Sequence, residues 1–413
     1  MIRALTIWLM ISVAPAFVKA GDTLRVGASS HFKSIKAGLL QAEKGDVLLI
    51  EKGFYAEGTI LIDKSITIAG VGRPVIDGEN KHEILQITAD SVLITGLQIQ
   101  NVGVSYTKDF AGITGEKVSH CVIDDNILLN TFFGIYLKKA KNCRITNNKI
   151  VGQAAKEISS GNAIHLWYCK NIEVLNNKVN KHRDGIYLEF VDSTLISHNL
   201  SEHNLRYGLH FMFSNHDNYI GNTFRNNGAG VAVMFSKQIQ MIDNNFLNNW
   251  GAASYGLLLK EIYDGKIEGN TFSMNTIGMY GESATRISIA HNDFKQNGWA
   301  VKFLGSSMDN EFTYNNFIGN TFDLTTDSGR NNNRYIHNYW SKYTGYDLDK
   351  DGYGDVPYRP MKLFSYIINK SGSSIILLRS FFMDLINFAE KVTPVFTPAT
   401  LVDNSPLMKP YHD

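Results

Sequence analysis

The chain has 413 residues, of which 40 are basic and 39 acidic, so its formal net charge is only +1. A nearly neutral chain gives no electrostatic reason to expect a nucleic-acid partner or an anionic membrane surface. Its three cysteines are an odd number, and they therefore do not indicate a disulfide framework.

The first 20 residues are typical of a cleaved signal peptide. Arg3 precedes the apolar stretch Ala4 to Val18, and Val18-Lys19-Ala20 then provides a small residue at the cleavage position. A membrane anchor is the alternative, but the stretch is short for a bilayer span and contains Pro15. Cleavage removes two basic residues and no acidic one, which moves the formal net charge to −1. We therefore expect the mature chain to act outside the cytoplasm.

The mature chain is expected to begin with a cap. Ser34 to Glu43 fits a short amphipathic helix, and the apolar segment Val47 to Ile50 that follows has strand character. A helix placed before a series of strands can cover the core and the strand edges that would otherwise be open at that end.

An asparagine inside a short apolar segment then recurs at steps of 22 to 29 residues. The recurring asparagines are Asn126, Asn148, Asn177, Asn199, Asn222, Asn245, Asn270, Asn292, Asn316 and Asn338. About eight residues after each one comes an alternating apolar motif, such as Gly134-Ile-Tyr-Leu. This period predicts an all-β chain, a right-handed parallel β-helix with about 22 residues per coil, over residues 21–340.

Stacking of like positions explains the asparagines. Coils of a β-helix are spaced by roughly 4.8 Å, so that each amide can bond to the one above and the one below. The step of 29 residues predicts a looped-out insertion from Gln153 to Ser160. Cys121 and Cys143 are 22 residues apart and are expected to stack as small core residues, with a disulfide or metal site as the alternative; Cys169 lies outside their register.

Strand alternation places two neighbouring columns of side chains on the outside of one sheet. We predict that these columns form a face that handles a partner or copper: Tyr136, His165, Trp167, Tyr187, Glu189, His210, Met212 and Met234. Exposed aromatic and methionine side chains usually mark a contact surface, although a covering loop or simple ring stacking would also explain them. Imidazole and thioether groups suit cuprous copper. His165 and His210, however, lie two coils apart, about 10 Å, which is too far to share one ion.

A polysaccharide-modifying enzyme, a lyase or an epimerase, is the alternative function for this architecture. Such enzymes need clustered carboxylates, often with a basic residue. The candidates are Arg183, Asp184, Glu189, Lys260 and Glu261, but they are spread over several coils. We therefore expect a scaffold without catalytic residues.

Residues 341–372 are expected to form an Asp-rich capping loop. Asp347, Asp349, Asp351 and Asp355 occupy positions 1, 3, 5 and 9 of a calcium-loop pattern with glycine at position 6. Tyr358 stands at position 12, where an acidic residue is usual, so calcium and a plain Asp/Gly turn both remain open.

Residues 373–413 are expected to form an amphipathic helix followed by an extended, proline-containing arm. The apolar side chains of the helix are Leu378, Phe381, Phe382, Leu385 and Phe388. Two interpretations are open: the helix caps the C-terminal end of the solenoid, or the helix and arm dock on a membrane-embedded partner.

Several phrases of the repeat are more specific than a generic solenoid. They are GNAIHLW (Gly161–Trp167), RDGIYLEF (Arg183–Phe190), RYGLHFMFSN (Arg206–Asn215), AGVAVMFS (Ala229–Ser236), YGLLLKEI (Tyr255–Ile262) and the pairing of Asn338-Tyr-Trp with Tyr358-Arg-Pro. Through these motifs nearly the whole mature chain resembles the NosD family.

The resemblance implies a periplasmic accessory protein that helps to assemble the copper centres of nitrous oxide reductase. It further implies association with the membrane through an ABC-type ATPase and a permease (NosF and NosY types). A copper-chaperone lipoprotein (NosL type) and the reductase itself are the other expected partners, and copper is expected to bind only transiently.

Overall fold

The computed structural model describes residues 21–105, 108–327, 332–370 and 401–411, together with positions 377, 380–381, 385–386 and 388. The chain forms a parallel β-solenoid of about 14 turns, which confirms the predicted fold class. Each full turn contributes short strands to three faces, and every strand pairs in parallel with its equivalents one turn before and after.

Face 1 carries the candidate site. Its strands are Ile60–Ile62, Leu85–Ile87, Ala111–Glu116, Phe133–Lys138, Ile164–Trp167, Ile186–Glu189, Tyr207–Met212, Ala229–Lys237, Tyr255–Glu268, Ile277–Glu282, Trp299–Phe303 and Phe322–Thr325.

Face 2 follows it in each turn. Its strands are Thr23–Val26, Val47–Ile50, Thr67–Gly70, Leu93–Thr95, Val122–Asp124, Arg144–Thr146, Glu173–Leu175, Leu195–Ser197, Asn218–Ile220, Gln240–Ile242, the second half of Tyr255–Glu268, Thr285–Ala290, Glu311–Thr313 and Arg334–Ile336. Tyr255–Glu268 turns the corner between faces 1 and 2, which joins them into one 25-stranded sheet.

Face 3 is a separate sheet of 13 strands. Its strands are Phe54–Tyr55, Val75–Asp77, Gln98–Gln100, Ile127–Leu129, Lys149–Val151, Lys178–Asn180, Leu200–Glu202, Thr223–Arg225, Asn245–Leu247, Thr271–Ser273, Asp293–Lys295, Asn316–Ile318 and Tyr339–Trp340.

Helix α1 (Ile35–Gln41) caps the N-terminal end, as predicted. The Ser34 hydroxyl accepts a hydrogen bond from Ala37 N at 3.1 Å and thereby satisfies one of the free N–H groups of the first turn. Ile35 and Leu39 are buried against the first coils. The helix therefore covers the core where no earlier coil exists.

A column of buried asparagines joins successive coils between faces 2 and 3. In each step the backbone N–H and the amide of one asparagine both donate to the side-chain oxygen of the next; for Asn148 and Asn177 the distances are 2.9 and 3.0 Å. The column contains Asn126, Asn148, Asn177, Asn199, Asn222, Asn244, Asn270, Asn292, Asn315 and Asn338.

Two predicted members of this column were wrong. The structure places Asn244 and Asn315 in it, whereas Asn245 and Asn316 begin the next face 3 strands. Both errors fall on Asn-Asn pairs, where the spacing alone cannot tell which residue turns inward. A second buried amide column, five residues further along, was not predicted: Asn204, Asn227, Asn249, Asn275, Asn297 and Asn320.

The three cysteines are free and buried, in agreement with the expectation that Cys121 and Cys143 are core residues. Val122 pairs with Arg144, which puts the two cysteines in one column, while Lys141 pairs with Lys170 and leaves Cys169 in another.

The C-terminal end differs from the prediction. Region 341–372 is not all loop, because helix α2 (Leu363–Lys370) lies within it and packs Phe364 and Ile368 on Phe322 at the end of face 1. Among the residues that the structure describes, no helix combines the length and apolar character needed to cross a membrane.

Residues 401–411 do not form the predicted extended arm. They return to the last coil, where buried Asp403 takes the place of the next column asparagine. Its carboxylate accepts the N–H of Asn338 at 2.9 Å, the Asn338 amide at 3.2 Å and Trp340 Nε1 at 3.1 Å. The segment thus satisfies donors that a further coil would otherwise satisfy. The predicted helix from residue 374 lies mostly outside the described residues.

Candidate functional site

The eight predicted face residues lie in two neighbouring outward columns of face 1. The ring column contains Tyr136, His165, Tyr187 and His210 in consecutive coils. The methionine column, two residues further along each strand, contains Trp167, Glu189, Met212 and Met234. Strand pairing therefore brings all eight together over five coils.

The ring column is more enclosed than predicted. Tyr136, His165 and His210 are buried, with 5%, 9% and 5% of their surface exposed, so the prediction that they stand open to a partner was wrong. Their rings cover one another: Tyr136 and His165 stack with centroids 4.2 Å apart, and Phe133 packs beside both. Tyr187 and the methionine column remain partly exposed and form the accessible part of the face.

The two histidines of the ring column are separated by a tyrosine. The Tyr187 ring centroid is 4.7 Å from that of His165 and 4.9 Å from that of His210. This agrees with the expectation from coil spacing that the two imidazoles do not share one ion. Burial, together with Arg183 and Lys138, lowers the pKa of His165 to about 3, so this imidazole is neutral at physiological pH.

An ion pair lies beneath His210. Arg206 Nε donates to Asp184 Oδ1 at 2.9 Å, and His210 Nδ1 is 3.6 Å from Asp184 Oδ2. Burial opposes ionisation of Asp184, but hydrogen bonds from Arg206 and His210 outweigh it and lower its pKa to about 2. Asp184 is therefore a fully buried, fixed anion that orients His210, and it is not available to a polysaccharide substrate.

The other enzyme candidates do not assemble around Asp184. Lys260 pairs with Glu282 at 3.3 Å three coils further along, and Glu261 is exposed at the corner within the strand Tyr255–Glu268. Arg206, which the sequence analysis did not include among the candidates, forms the ion pair with Asp184. The sequence does contain a signal for this pair, because Arg206 follows Asp184 by 22 residues, which is one coil.

Buried polar atoms without partners are concentrated at this place. Of the twelve such atoms among the described residues, six belong to Asn162, His165, Arg183 and His210 on three neighbouring coils. Unpartnered buried donors and acceptors are rare in native proteins, and a bound ion or water is one of the explanations for them. His210 Nε2 is one of them, and its ring is already oriented from the opposite nitrogen.

Met212 and Met234 are direct register partners on adjacent strands. The Tyr187 hydroxyl contacts Met212 Sδ at 3.9 Å, which ties the two columns together. Two neighbouring thioethers, on the same face as an imidazole nitrogen that has no hydrogen-bond partner, are soft donors that fit cuprous copper. The residues present therefore suit a transient copper cargo.

The Asp-rich loop brings three of its four predicted carboxylates together. Ligand atoms of Asp347, Asp349 and Asp351 lie within 4.8 Å of one another. Repulsion by Asp351 raises the pKa of Asp349. Asp355 has a different role, because its Oδ2 accepts Leu348 N at 2.7 Å and so closes the loop.

The described part of the tail presents apolar side chains to solvent. Phe381, Leu385 and Phe388 are exposed, while Ile386 packs against the cluster of α2 and the end of face 1. Leu378 and Phe382, the other two predicted docking residues, lie outside the described residues. The exposed tail side chains are thus anchored next to the last coils of face 1.

Comparison with known proteins finds similarity to one family. Residues 150–345 match the family described as periplasmic copper-binding protein (NosD). The chain is 28% identical to the probable ABC transporter binding protein NosD of Pseudomonas aeruginosa over 376 residues, 86% of this chain and 87% of that one. It is 26% identical to the protein of the same name from Stutzerimonas stutzeri, over 86% of this chain and 85% of that one.

Solved structures agree on the fold alone. The Dettilon tailspike protein is similar with a TM-score of 0.53 and 14% identity, covering 73% of this chain and 63% of its own. PfbA, a surface adhesin of Streptococcus pneumoniae, is similar with a TM-score of 0.51 and 10% identity, covering 75% and 89%. The family match over the central coils and the two relatives along most of the chain support the resemblance of this protein to the NosD family.

Proposed function

We propose that this chain is a non-catalytic periplasmic scaffold that handles copper while the copper centres of nitrous oxide reductase are assembled. The family description as periplasmic and copper-binding, and the naming of its relatives as ABC transporter binding proteins, support this general role. The observation that carries the proposal is the soft donor set of face 1: His210 Nε2, which has no hydrogen-bond partner, and the register partners Met212 and Met234 in the neighbouring column.

These donors suit a cargo that has to leave again. Thioethers bind cuprous copper without proton release, and neither methionine brings a charge that would hold a divalent ion tightly. Both methionines are partly exposed, so copper can be exchanged with a partner at the same surface. A copper-chaperone lipoprotein as donor and the reductase as acceptor fit this arrangement.

The tail provides the second contact. Phe381, Leu385 and Phe388 are exposed apolar side chains on a segment fixed at both ends, by α2 before it and by residues 401–411 after it. Burial of such side chains in a membrane permease, with its ATPase, would hold the scaffold at the membrane surface.

The copper proposal is tested by titrating the purified protein with Cu(I) against a colorimetric chelator. We expect the double variant Met212→Leu/Met234→Leu to bind Cu(I) at least tenfold more weakly, because leucine keeps the apolar volume and removes the thioether. Met274→Leu/Met308→Leu is the matched control, since both residues are exposed on other parts of the solenoid. Equal affinities of the two double variants would reject the site.

The tail proposal needs a variant that leaves the C-terminal cap in place. Residues 371–400 are replaced by a short Gly/Ser linker, and residues 401–411 are retained because Asp403 closes the last coil. We expect this variant to keep its thermal stability and its Cu(I) affinity and to lose co-purification with the permease and ATPase. Undiminished co-purification would place the docking surface elsewhere.

The Asp-rich loop is proposed as a calcium site of structural use only. Three carboxylates within reach of one ion support it, and the tyrosine at position 12 weakens it. Calcium at 1 mM, a concentration on the order of that at which extracellular calcium modules bind, should raise the melting temperature of the protein and not that of Asp349→Asn.

A further inference from the structure

An exposed stack of aromatic rings runs along the corner between faces 1 and 2. The aromatic ladder consists of Tyr168, Phe190, Phe213 and Phe235, each immediately after a residue of the methionine column. Successive ring centroids are 4.6, 5.1 and 5.0 Å apart, with interplanar angles of 18°, 8° and 12°. Four consecutive coils therefore contribute one ring each to a continuous ridge.

Each ladder residue occupies the left-handed backbone region. The φ angles of Tyr168, Phe190, Phe213 and Phe235 are 52°, 54°, 52° and 54°. Glycine and asparagine adopt this region at lowest cost, and bulky residues rarely do so. Tyr168, Phe190 and Phe213 also leave 49%, 38% and 40% of their surface in water. The corner sets the same positive φ in neighbouring coils, for example at Lys139 and Glu261, so the feature that distinguishes these four coils is a partly exposed aromatic side chain.

The orientation of the rings limits what the ladder can bind. Stacking covers the flat faces of the two central rings, Phe190 and Phe213, and leaves their edges outward. Sugars pack on the flat faces of aromatic rings, so this ridge is poorly suited to a polysaccharide. Ring edges, with the methionine column alongside, suit aliphatic, aromatic and sulfur-containing side chains of a protein.

The two ends of the ladder carry opposite charges. Lys139 and, one coil before it, Lys117 occupy the same corner position at the N-terminal end, and Glu261 occupies it directly after Phe235. All three are exposed, and Lys139 lies 5.5 Å from the Trp167 ring centroid. A ligand aligned with the ridge therefore meets a cation, an apolar stretch of about 14 Å, and then an anion.

We propose that the aromatic ladder docks an apolar segment of a partner protein that carries an acidic residue at the Lys139 end and a basic residue at the Glu261 end. The match of charge and length defines both the chemistry of the partner and its direction along the solenoid. The inference deepens the proposed function, because the docked segment would lie beside Met212 and Met234. It would thereby bring a copper donor or acceptor to those thioethers.

The test is site-specific photocrosslinking in cells that mature the reductase. p-Benzoylphenylalanine replaces Phe213, or Phe190 as a second position, and replaces Trp250, another exposed aromatic residue, as the matched control. We expect a crosslink from both ladder positions to a peptide of one partner protein, identified by mass spectrometry, with an apolar stretch flanked by an acidic and a basic residue. Lys139→Glu should lower the yield at least fivefold.

Three results would overturn the proposal: a crosslink no stronger than that from Trp250, a crosslink to a second copy of this chain or to a polysaccharide, or a yield unchanged by Lys139→Glu. Phe190→Asn/Phe213→Asn provides an independent measurement, because asparagine tolerates the left-handed backbone while the rings are lost. Its affinity for the crosslinked partner should fall at least tenfold, with the melting temperature retained. The crosslink reports contact with a partner and not copper transfer. The docking proposal can therefore be rejected while Cu(I) binding at Met212 and Met234 is confirmed, and Cu(I) binding can be rejected while the docking proposal is confirmed.

Discussion

The adjacent residues Asn244 and Asn245 offer a test of the amide column with its control one residue away. Asn244 Oδ1 accepts the N–H of Asn222 at 2.9 Å and its amide at 3.0 Å, and Asn244 Nδ2 donates to Asn270 Oδ1 at 3.0 Å. Asn244 is buried, whereas Asn245 is partly exposed at the start of a face 3 strand. We predict that Asn244→Ala is strongly destabilising and that Asn245→Ala is nearly neutral.

The magnitude follows from the groups left behind. Truncation of Asn244 deprives the buried N–H of Asn222 of its acceptor, which costs about 1–3 kcal/mol. Each of the other lost hydrogen bonds contributes about 1 kcal/mol. Two of the groups involved retain a partner, because Asn222 Nδ2 still donates to Ile196 O and Asn270 Oδ1 still accepts the Asn244 N–H. We therefore expect Asn244→Ala to lower the free energy of unfolding by about 3–5 kcal/mol and Asn245→Ala by less than about 0.5 kcal/mol.

Urea denaturation gives the global effect, and hydrogen exchange gives its location. The Asn222 amide should exchange about 100-fold or more faster in Asn244→Ala, because opening of a solenoid is local to neighbouring coils. Equal losses in the two variants, or a loss below about 1 kcal/mol for Asn244→Ala, would refute the reasoning that side-chain amides hold the coils together.

Three further predictions concern the cap, a buried acid and the alternative function. Asp403→Ala should lower the free energy of unfolding by about 3 kcal/mol or more and speed amide exchange at Asn338, with Lys409→Ala as an exposed control; unchanged exchange would contradict the cap. Burial raises the pKa of Asp217 to about 8, so the folded protein keeps a proton on this carboxyl group that the unfolded chain releases near pH 4. The free energy of unfolding should therefore fall by up to about 1.4 kcal/mol per pH unit as the pH rises from 4 to 8. Asp217→Asn should remove that slope in urea midpoints measured against pH, and a slope that persists would show that another group causes it. Purified protein should leave the chain length and epimer content of alginate unchanged; depolymerised or epimerised product would restore the enzyme hypothesis.

Much of the fold was open to prediction because it depends on a period. One asparagine per coil and one alternating motif after it fixed the solenoid, the register of the outward columns and the core position of Cys121 and Cys143. The column of a side chain depends only on its position along the strand, so the sequence alone assigns the eight face residues to one face.

The errors arise where counting is insufficient. Asn244-Asn245 gives two candidates for one inward position, and only the backbone decides between them. Burial of His165 and His210 depends on how neighbouring rings pack, which alternation does not describe. The capping role of Asp403 depends on its contact with Asn338, which is 65 residues away in the sequence, and no local sequence pattern predicts that contact.

The aromatic ladder illustrates the same limit. Tyr168 and Phe190 follow the outward columns directly, but strand alternation ends there, and without the corner geometry their rings had no assigned direction. Their positive φ angles and 4.6 Å stacking appear only in three dimensions. The sequence signal for this column is an aromatic residue directly after each member of the methionine column.

The most direct test of the copper-handling face is the copper content of the reductase purified from cells that carry variants of this chain. We predict that Met212→Leu/Met234→Leu yields full-length reductase depleted of copper, while Met274→Leu/Met308→Leu yields fully loaded enzyme. Wild-type copper content with the first pair, at normal levels of a folded variant protein, would contradict the claim that these thioethers handle the metal.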